Sequence, residues 1–144
     1  MSLIVRCREN TLSSTPASFL DDRRGYRPST VLPLSVGARY VVFAITSFLG
    51  GFWYYVLDDD GHSYPIWYPA PVFDIVSERV PSGWVLGHHR ADDGGVTSIL
   101  TFPAWASDPH YYEKLVDDEP AAVAVFARVR EFMPVEHRED RATP

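Results

Sequence analysis

Cysteine and long apolar runs are scarce in this sequence, and each scarcity excludes a class of protein. The chain of 144 residues has a single cysteine, Cys7, so no disulfide can form within it. No apolar run approaches the roughly 18–20 residues that a membrane-spanning helix needs. The first residues place no basic segment ahead of an apolar core, so we expect no signal peptide and a cytoplasmic location.

Positive charge is also scarce. The chain has 13 Lys and Arg, of which only Lys114 is lysine, against 19 Asp and Glu, and its formal net charge is −6. An acidic chain lacks the attraction to phosphate that underlies non-specific DNA binding, so we expect no nucleic-acid partner. Acidic clusters instead favour fast association with a basic protein, or are ordinary solvated turns. The clusters are Asp58, Asp59 and Asp60; Asp92 and Asp93; and Asp117, Asp118 and Glu119.

Hydrophobic and aromatic residues reach the levels of a folded domain. They make up 46% and 14% of the chain, which excludes a disordered protein, and the length fits one domain. We expect a single domain over 1–144. Its parts are an N-terminal strand and long loop (1–33), a β-sheet core (34–102), helices (103–133) and a disordered tail (134–144).

Short segments rich in β-branched and aromatic residues alternate with turn residues through the middle of the chain. They predict strands at 3–8, 38–46, 52–57, 62–68, 72–76, 84–88 and 96–102. This close spacing is typical of a small barrel or curled sheet. We therefore expect an α+β fold, with a small, strongly bent antiparallel β-sheet or SH3-like barrel from about 36 to 102 and two C-terminal helices.

The two helices are predicted at 110–117 and 122–133. In the second, apolar residues recur at the three- and four-residue spacing of one helical face. They are Ala122, Val125, Phe126, Val129, Phe132 and Met133. We expect Phe126, Val129 and Phe132 to be buried.

The segments that flank the first acidic turn predict an antiparallel hairpin. A four-residue loop would place Leu57 opposite His62 and therefore Trp53 opposite Ile66. Pro65 cannot donate to a strand ladder, so its strand should lie at a sheet edge. Both faces of the hairpin carry aromatic residues, so either both are covered or one is a recognition surface.

The most distinctive stretch, 64–73, combines three prolines with large aromatic side chains. It either fills the core or forms an aromatic groove for a peptide or a partner's loop, since Trp and Tyr commonly anchor interfaces. The candidate aromatic binding residues are Trp53, Tyr55, Tyr64, Trp67, Tyr68 and Trp84. The candidate charged binding residues are Asp58, Asp59, Asp60, Asp92 and Asp93.

Patterns for metal and catalytic chemistry fail on spacing. His88 and His89 are adjacent on a predicted strand and point to opposite faces, so they cannot share one ion with Asp92 and Asp93. The turn at 58–61 lacks the Gly and Glu spacing of an EF-hand. The sequence contains neither a Gly-x-Ser-x-Gly motif nor a phosphate-binding glycine loop. We expect no metal and no cofactor.

These observations favour a non-catalytic, acidic protein-interaction domain. Small size, acidity and the absence of a targeting signal fit a bacterial toxin-neutralising, immunity-type protein with a basic partner. One alternative is a small enzyme or ligand-binding domain with an aromatic pocket, whose polar groups would be Asp74, His88 or His89, and Tyr55. Another is a structural subunit that forms homo-oligomers through the proline-rich edge.

Overall fold

The computed structural model describes residues 2–21, 25–48, 50–90 and 94–133. The strands in this part of the chain are β1 (Ile4–Cys7), β2 (Arg39–Val41), β3 (Ala44–Phe48), β4 (Gly51–Val56), β5 (Ile66–Pro69), β6 (Phe73–Ser77), β7 (Val85–Arg90) and β8 (Val96–Thr101). The α-helices are α1 (Pro103–Ala106), α2 (Tyr111–Val116) and α3 (Pro120–Glu131). Asp92, Asp93 and the predicted tail at 134–144 lie outside the described residues.

The strands form a three-stranded sheet, in the order β2-β1-β6, and a five-stranded sheet, in the order β5-β4-β3-β8-β7. Neighbouring strands are antiparallel in both sheets. The predicted α+β class is therefore confirmed, although the described residues contain three C-terminal α-helices where two were predicted. The described strands do not close into a barrel, so the narrower SH3-like description gains no support.

The single strand predicted at 38–46 is divided between the two sheets. The Val42 amide donates to the carbonyl of Leu3, beside β1, at 2.9 Å. The next amide, that of Phe43, donates to the carbonyl of Tyr55 in the five-stranded sheet, also at 2.9 Å. Two consecutive buried residues thus carry the chain from one sheet to the other, which an unbroken apolar pattern does not reveal.

Two apolar clusters hold the layers together. The first lies between the two sheets and includes Val5, Val42, Val56, Tyr68 and Phe73. The second lies between the sheets and the helices and includes Phe43, Ile99, Trp105, Leu115 and Phe126. Burial of apolar surface at about 25 cal/mol per Å² is the main favourable contribution to such a fold.

The N-terminal loop predicted at 9–30 is more closely packed than its sequence indicates. In its described parts, Leu12 and Phe19 are buried, and Phe19 is the last residue of a short 3-10 helix at Ala17–Phe19. The Phe19 ring lies 5.4 Å from that of Trp53. A Cβ at Gly51 would lie 2.1 Å from Cζ of Phe19, so the missing side chain gives this ring its place.

Helix α1 lies directly on β7. A Cβ at Gly87 would lie 2.2 Å from the carbonyl oxygen of Ala106, so only glycine allows this approach. Nε2 of His89 is 2.8 Å from the same oxygen. Because a carbonyl oxygen only accepts, this geometry places a proton on Nε2.

The register of the hairpin differs from the prediction. Trp53 is opposite Pro69 and Tyr55 is opposite Trp67, three positions from the predicted pairing of Trp53 with Ile66. A shift by an odd number of residues changes the face that a side chain occupies. Trp67 therefore shares a face with Trp53 and Tyr55. The strand does lie at a sheet edge, as predicted, but it begins at Ile66, four residues after the predicted start, so Pro65 lies just before it.

Helix α3 buries a narrower stripe than predicted. Phe126 is buried and Val129 is half-buried, but the expectation for Phe132 is wrong, because 74% of its surface is exposed. The helix ends at Glu131, and at about 100° per residue Phe132 falls on the margin of the apolar face. No described helix has the length and apolarity needed to cross a membrane.

Candidate functional site

Two of the predicted aromatic anchors are core residues. Trp53 is fully buried, and its indole Nε1 donates to the carbonyl of Phe48 at 2.9 Å. Tyr68 is 6% exposed and lies in the cluster between the sheets. Neither side chain can contact a partner without disrupting the fold, so the prediction that they bind at the surface is wrong.

Tyr55, Tyr64 and Trp67 are half-buried on the helix-facing side of the hairpin. The Tyr55 ring lies 4.8 Å from Trp105 and 5.3 Å from Tyr112, and it stacks on Trp67 at 6.0 Å. Burial raises the pKa of Tyr55 and of Tyr112 above the ordinary value. This aromatic group mainly packs α1 and α2 against the sheet, which agrees with the alternative of a core role.

Trp84, the remaining aromatic candidate, is half-buried just before β7 and packs against both apolar clusters. Phe102, Val129 and Met133 line a shallow surface depression with it. Trp84 thus lies beside the helices, and its role in binding stays a prediction.

The carboxylate of Asp58 is an internal acceptor. Its side chain is 1% exposed. It accepts hydrogen bonds from the Tyr68 hydroxyl, from the Asp60 amide at 3.0 Å and from Nδ1 of His62 at 3.2 Å when that nitrogen is protonated. Burial, followed by the bond to Asp58, raises the pKa of Tyr68. The expectation that Asp58 steers a partner from the surface is therefore wrong.

Asp59 connects the same turn to the segment that precedes β2. Its carboxylate accepts from the Ser35 hydroxyl at 2.6 Å and from the Tyr40 hydroxyl at 2.9 Å. Its amide donates to the carbonyl of Pro33 at 2.9 Å. Asp59 and Asp60 are exposed and stay candidates for contact with a partner. Asp58 and Asp59 thus have a structural role in this turn, beside any role in binding.

Ligand atoms of Asp58, Asp60 and His62 lie within 4.8 Å of one another, and they could hold a metal ion. The Asp58 oxygens already accept three protein donors. These hydrogen bonds account for the short distances between the three residues without a metal ion, because a buried carboxylate requires hydrogen-bond donors.

The polar groups named for an enzyme do not converge. His88 and His89 face opposite sides of β7, as predicted, and His88 approaches Ser98 at 2.9 Å. Asp74 is exposed on β6, in the other sheet, and pairs in register with Arg6. Tyr55 is enclosed by aromatic rings. These placements leave no acid–base pair among the named candidates.

An apolar surface that the sequence analysis did not single out lies on the five-stranded sheet. On the face turned away from the helices, Phe52 is 61% exposed and Leu86 is 59% exposed. We call this surface the open face. It forms a shallow trough of about 390 Å³, lined by Ile45, Thr46, Ser47, Phe52, Tyr54, Leu86, Ser98 and Leu100. Two large exposed apolar side chains in one trough are typical of a binding surface.

The pairing of β7 with β8 shows which side chains lie at the edge of the open face. Leu86 is opposite Leu100 and His88 is opposite Ser98, so β7 adds Leu86, His88 and Arg90 to this side of the sheet. β7 therefore adds one cationic side chain, Arg90, and one imidazole, His88, to the open face. The alternation of Phe52 and Tyr54 with Trp53 and Tyr55 was the available signal for two apolar faces.

Comparison with known proteins identifies no relative. No protein-family model matches the sequence, and neither curated proteins nor solved structures match it. The argument for function therefore depends on the geometry of this chain.

Proposed function

We propose that the protein is a non-catalytic protein-interaction domain and that the open face is its contact surface. The observation that carries the proposal is the exposure of Phe52 and Leu86 in one apolar trough. A face of this kind, on a sheet whose other side is packed by helices, resembles the core of an interface more than the surroundings of a catalytic group.

The shape of the trough supports binding of a protein segment. It is shallow, and its side-chain polar groups are the hydroxyls of Thr46, Ser47, Tyr54 and Ser98, of which that of Thr46 is buried and donates to the Ser98 carbonyl. A partner that lays an apolar side chain between Phe52 and Leu86 would bury both, while the accessible hydroxyls at the border could bond to its polar groups. We therefore propose a partner with an apolar anchor residue, presented on a helix or an extended strand.

The overall charge supports a partner that is basic away from this contact. The chain carries a net charge of −6, and Asp117, Asp118 and Glu119 are exposed between α2 and α3. Such charges act mainly on the association rate and are screened within about 8 Å at physiological salt. A toxin-neutralising role is the narrower form of the proposal, in which the basic partner is a toxin.

The test uses a partner purified from the native host by capture on the wild-type protein. Its dissociation constant is then measured for the double variant Phe52→Ser and Leu86→Ser. Loss of a central apolar anchor should weaken binding by about 30-fold or more. Because both side chains are exposed, the variant should keep its circular dichroism spectrum and unfolding midpoint.

The matched control is the double variant Ile75→Ser and Val31→Ser. These residues are 55% and 70% exposed but lie outside the trough. The control should bind as the wild type does. Equal loss in both double variants, or none in the first, would exclude the open face as the contact surface. If light scattering shows a stable homo-oligomer that the Phe52 and Leu86 changes dissociate, the partner is a second copy of the chain.

A further inference from the structure

A second cavity lies on a different side of the molecule, between β2 and the C-terminal end of α3. Its volume is about 290 Å³. Its walls are formed by Arg39, Tyr40, Val41, Phe43, Leu57, Arg130 and Met133. Val41, Phe43 and Met133 are buried and form an apolar floor. Nothing in the interaction proposal uses these residues.

Two arginines from separate elements border this cavity. Arg39 is half-buried at the start of β2. The guanidinium carbon of Arg130 lies 6.0 Å from the centre of the Phe126 ring, and that ring lies 5.0 Å from Phe43 on the cavity wall. The two positive side chains thus border one cavity from separate elements, and the exposed Arg130 lies beside an aromatic ring.

The neighbouring strand adds to the positive charge. Arg6 is directly opposite Arg39 in the register of β1 and β2, so both side chains stand on the same side of the sheet. Like charges in directly opposite positions destabilise a strand pair. Asp74 is opposite Arg6 on the far side and offsets part of this repulsion. Arg6 thus adds a third positive side chain to the side of the sheet that carries Arg39.

We propose that the cavity binds a small carboxylic acid with an apolar body. The carboxylate would accept hydrogen bonds from Arg39 and Arg130, because a guanidinium presents donors that match a carboxylate. The apolar part would lie against Val41, Phe43 and Met133. A cavity of about 290 Å³ is at the lower end of the range for small-ligand sites, so the ligand is compact.

Hydrocinnamate is a suitable probe, because it joins one carboxylate to a phenyl ring. It is titrated into the full chain while amide proton–nitrogen correlation spectra are recorded. A ligand of this size should bind with a dissociation constant of about 1 mM. The amides of 39–43 and 130–133 should shift most. Hydrocinnamyl alcohol keeps the ring but lacks the charge, and inorganic phosphate keeps a charge but lacks the ring. Both should bind at least about tenfold more weakly.

Three variants locate the charge. Arg39→Gln and Arg130→Gln should each weaken hydrocinnamate binding by at least about tenfold. Arg128→Gln is the matched control, because Arg128 is also in the last turn of α3 but does not line the cavity. It should bind as the wild type does. If the Arg39→Gln variant does not fold, the Arg130→Gln variant alone tests the proposal. Arg130 is in the last turn of α3, so its replacement should not disrupt the fold.

Several results would overturn the assignment. They are an absence of saturable shifts, equal binding of the alcohol or of phosphate, shifts centred outside the cavity, and equal weakening by Arg128→Gln. Each outcome is independent of the open face, whose variants change other residues.

Discussion

The hydrogen bond between Tyr68 and Asp58 should be one of the larger single contributions to stability in this fold. The two groups are 10 residues apart in sequence, and both side chains are nearly inaccessible to water, at 6% for Tyr68 and 1% for Asp58. The perturbations are Tyr68→Phe, which removes only the hydroxyl, and Asp58→Asn, which removes the charge and replaces one acceptor oxygen with an amide donor. The double variant completes the cycle.

The magnitude follows from what each change leaves behind. A hydrogen bond to a charged group contributes about 1.5–3 kcal/mol. In Tyr68→Phe the carboxylate keeps the Asp60 amide and His62, so we expect a loss of about 2 kcal/mol. Asp58→Asn exchanges one acceptor oxygen for a donor amide that faces donors, and we expect about 3 kcal/mol. The coupling free energy in the double-mutant cycle should be about 1.5 kcal/mol.

Urea unfolding, followed by tryptophan fluorescence, measures all four proteins. With a typical slope of about 2 kcal/mol per molar urea, Tyr68→Phe should lower the midpoint by about 1 M. His62→Ala is the control, because that side chain is 36% exposed and its pair with Asp58 is screened by solvent. It should cost no more than about 0.5 kcal/mol. A coupling free energy below about 0.5 kcal/mol would show that the buried pair does not act as described.

Three further measurements examine other parts of the fold. Phe126→Ala should lower the free energy of unfolding by about 3–5 kcal/mol, because it leaves a cavity in the core. Phe132→Ala should change it by no more than about 0.5 kcal/mol, because Phe132 is exposed. Similar losses in the two variants would contradict this difference in burial. Gly87→Ala should destabilise by about 1–3 kcal/mol, because its methyl group meets the α1 backbone, while Gly83→Ala, which meets nothing within 4 Å, is the control and should be nearly neutral. Burial raises the pKa of Tyr111 to about 12. The contribution of Tyr111 to the free energy of unfolding is therefore complete below about pH 10 and is lost as the pH rises from 10 to 12. The loss should be about 1.4 kcal/mol per pH unit for each such tyrosine. A urea midpoint that does not change between about pH 10 and 11 would refute this.

Local pattern was enough to locate most of the secondary structure. The segments predicted at 52–57 and 96–102 became β4 and β8 with ends displaced by one residue. The helix predicted at 122–133 became α3 at Pro120–Glu131. These elements were predictable because their apolar periodicity is a property of a few neighbouring residues. The class of the fold followed from the same evidence.

What sequence could not supply was the environment of each polar group. A run of three aspartates before a glycine is ordinarily a solvated turn. Here Asp58 turns inward, because the Tyr68 hydroxyl donates to it from β5. That contact depends on where a strand ten residues away is placed, and no local pattern contains this information. The same contact lies beside a loop between β4 and β5 that has nine residues, rather than the four predicted.

The longer loop accompanies a shifted register of β4 and β5, and this shift affects which residues of β4 remain exposed. In the observed register Trp67 is opposite Tyr55, so the rings of Trp67, Tyr55 and Trp105 pack together on the side of the sheet that faces the helices. Strand β5 ends at Pro69, opposite Trp53, so no residue of β5 pairs with Phe52. Proline cannot donate to a ladder, and the chain turns away into a 3-10 helix at Ala70–Val72. Phe52 is thus left without a neighbour on that side, which explains why it is exposed although it lies in an aromatic strand. The exposure of Phe52 on the open face therefore follows from the position at which β5 ends.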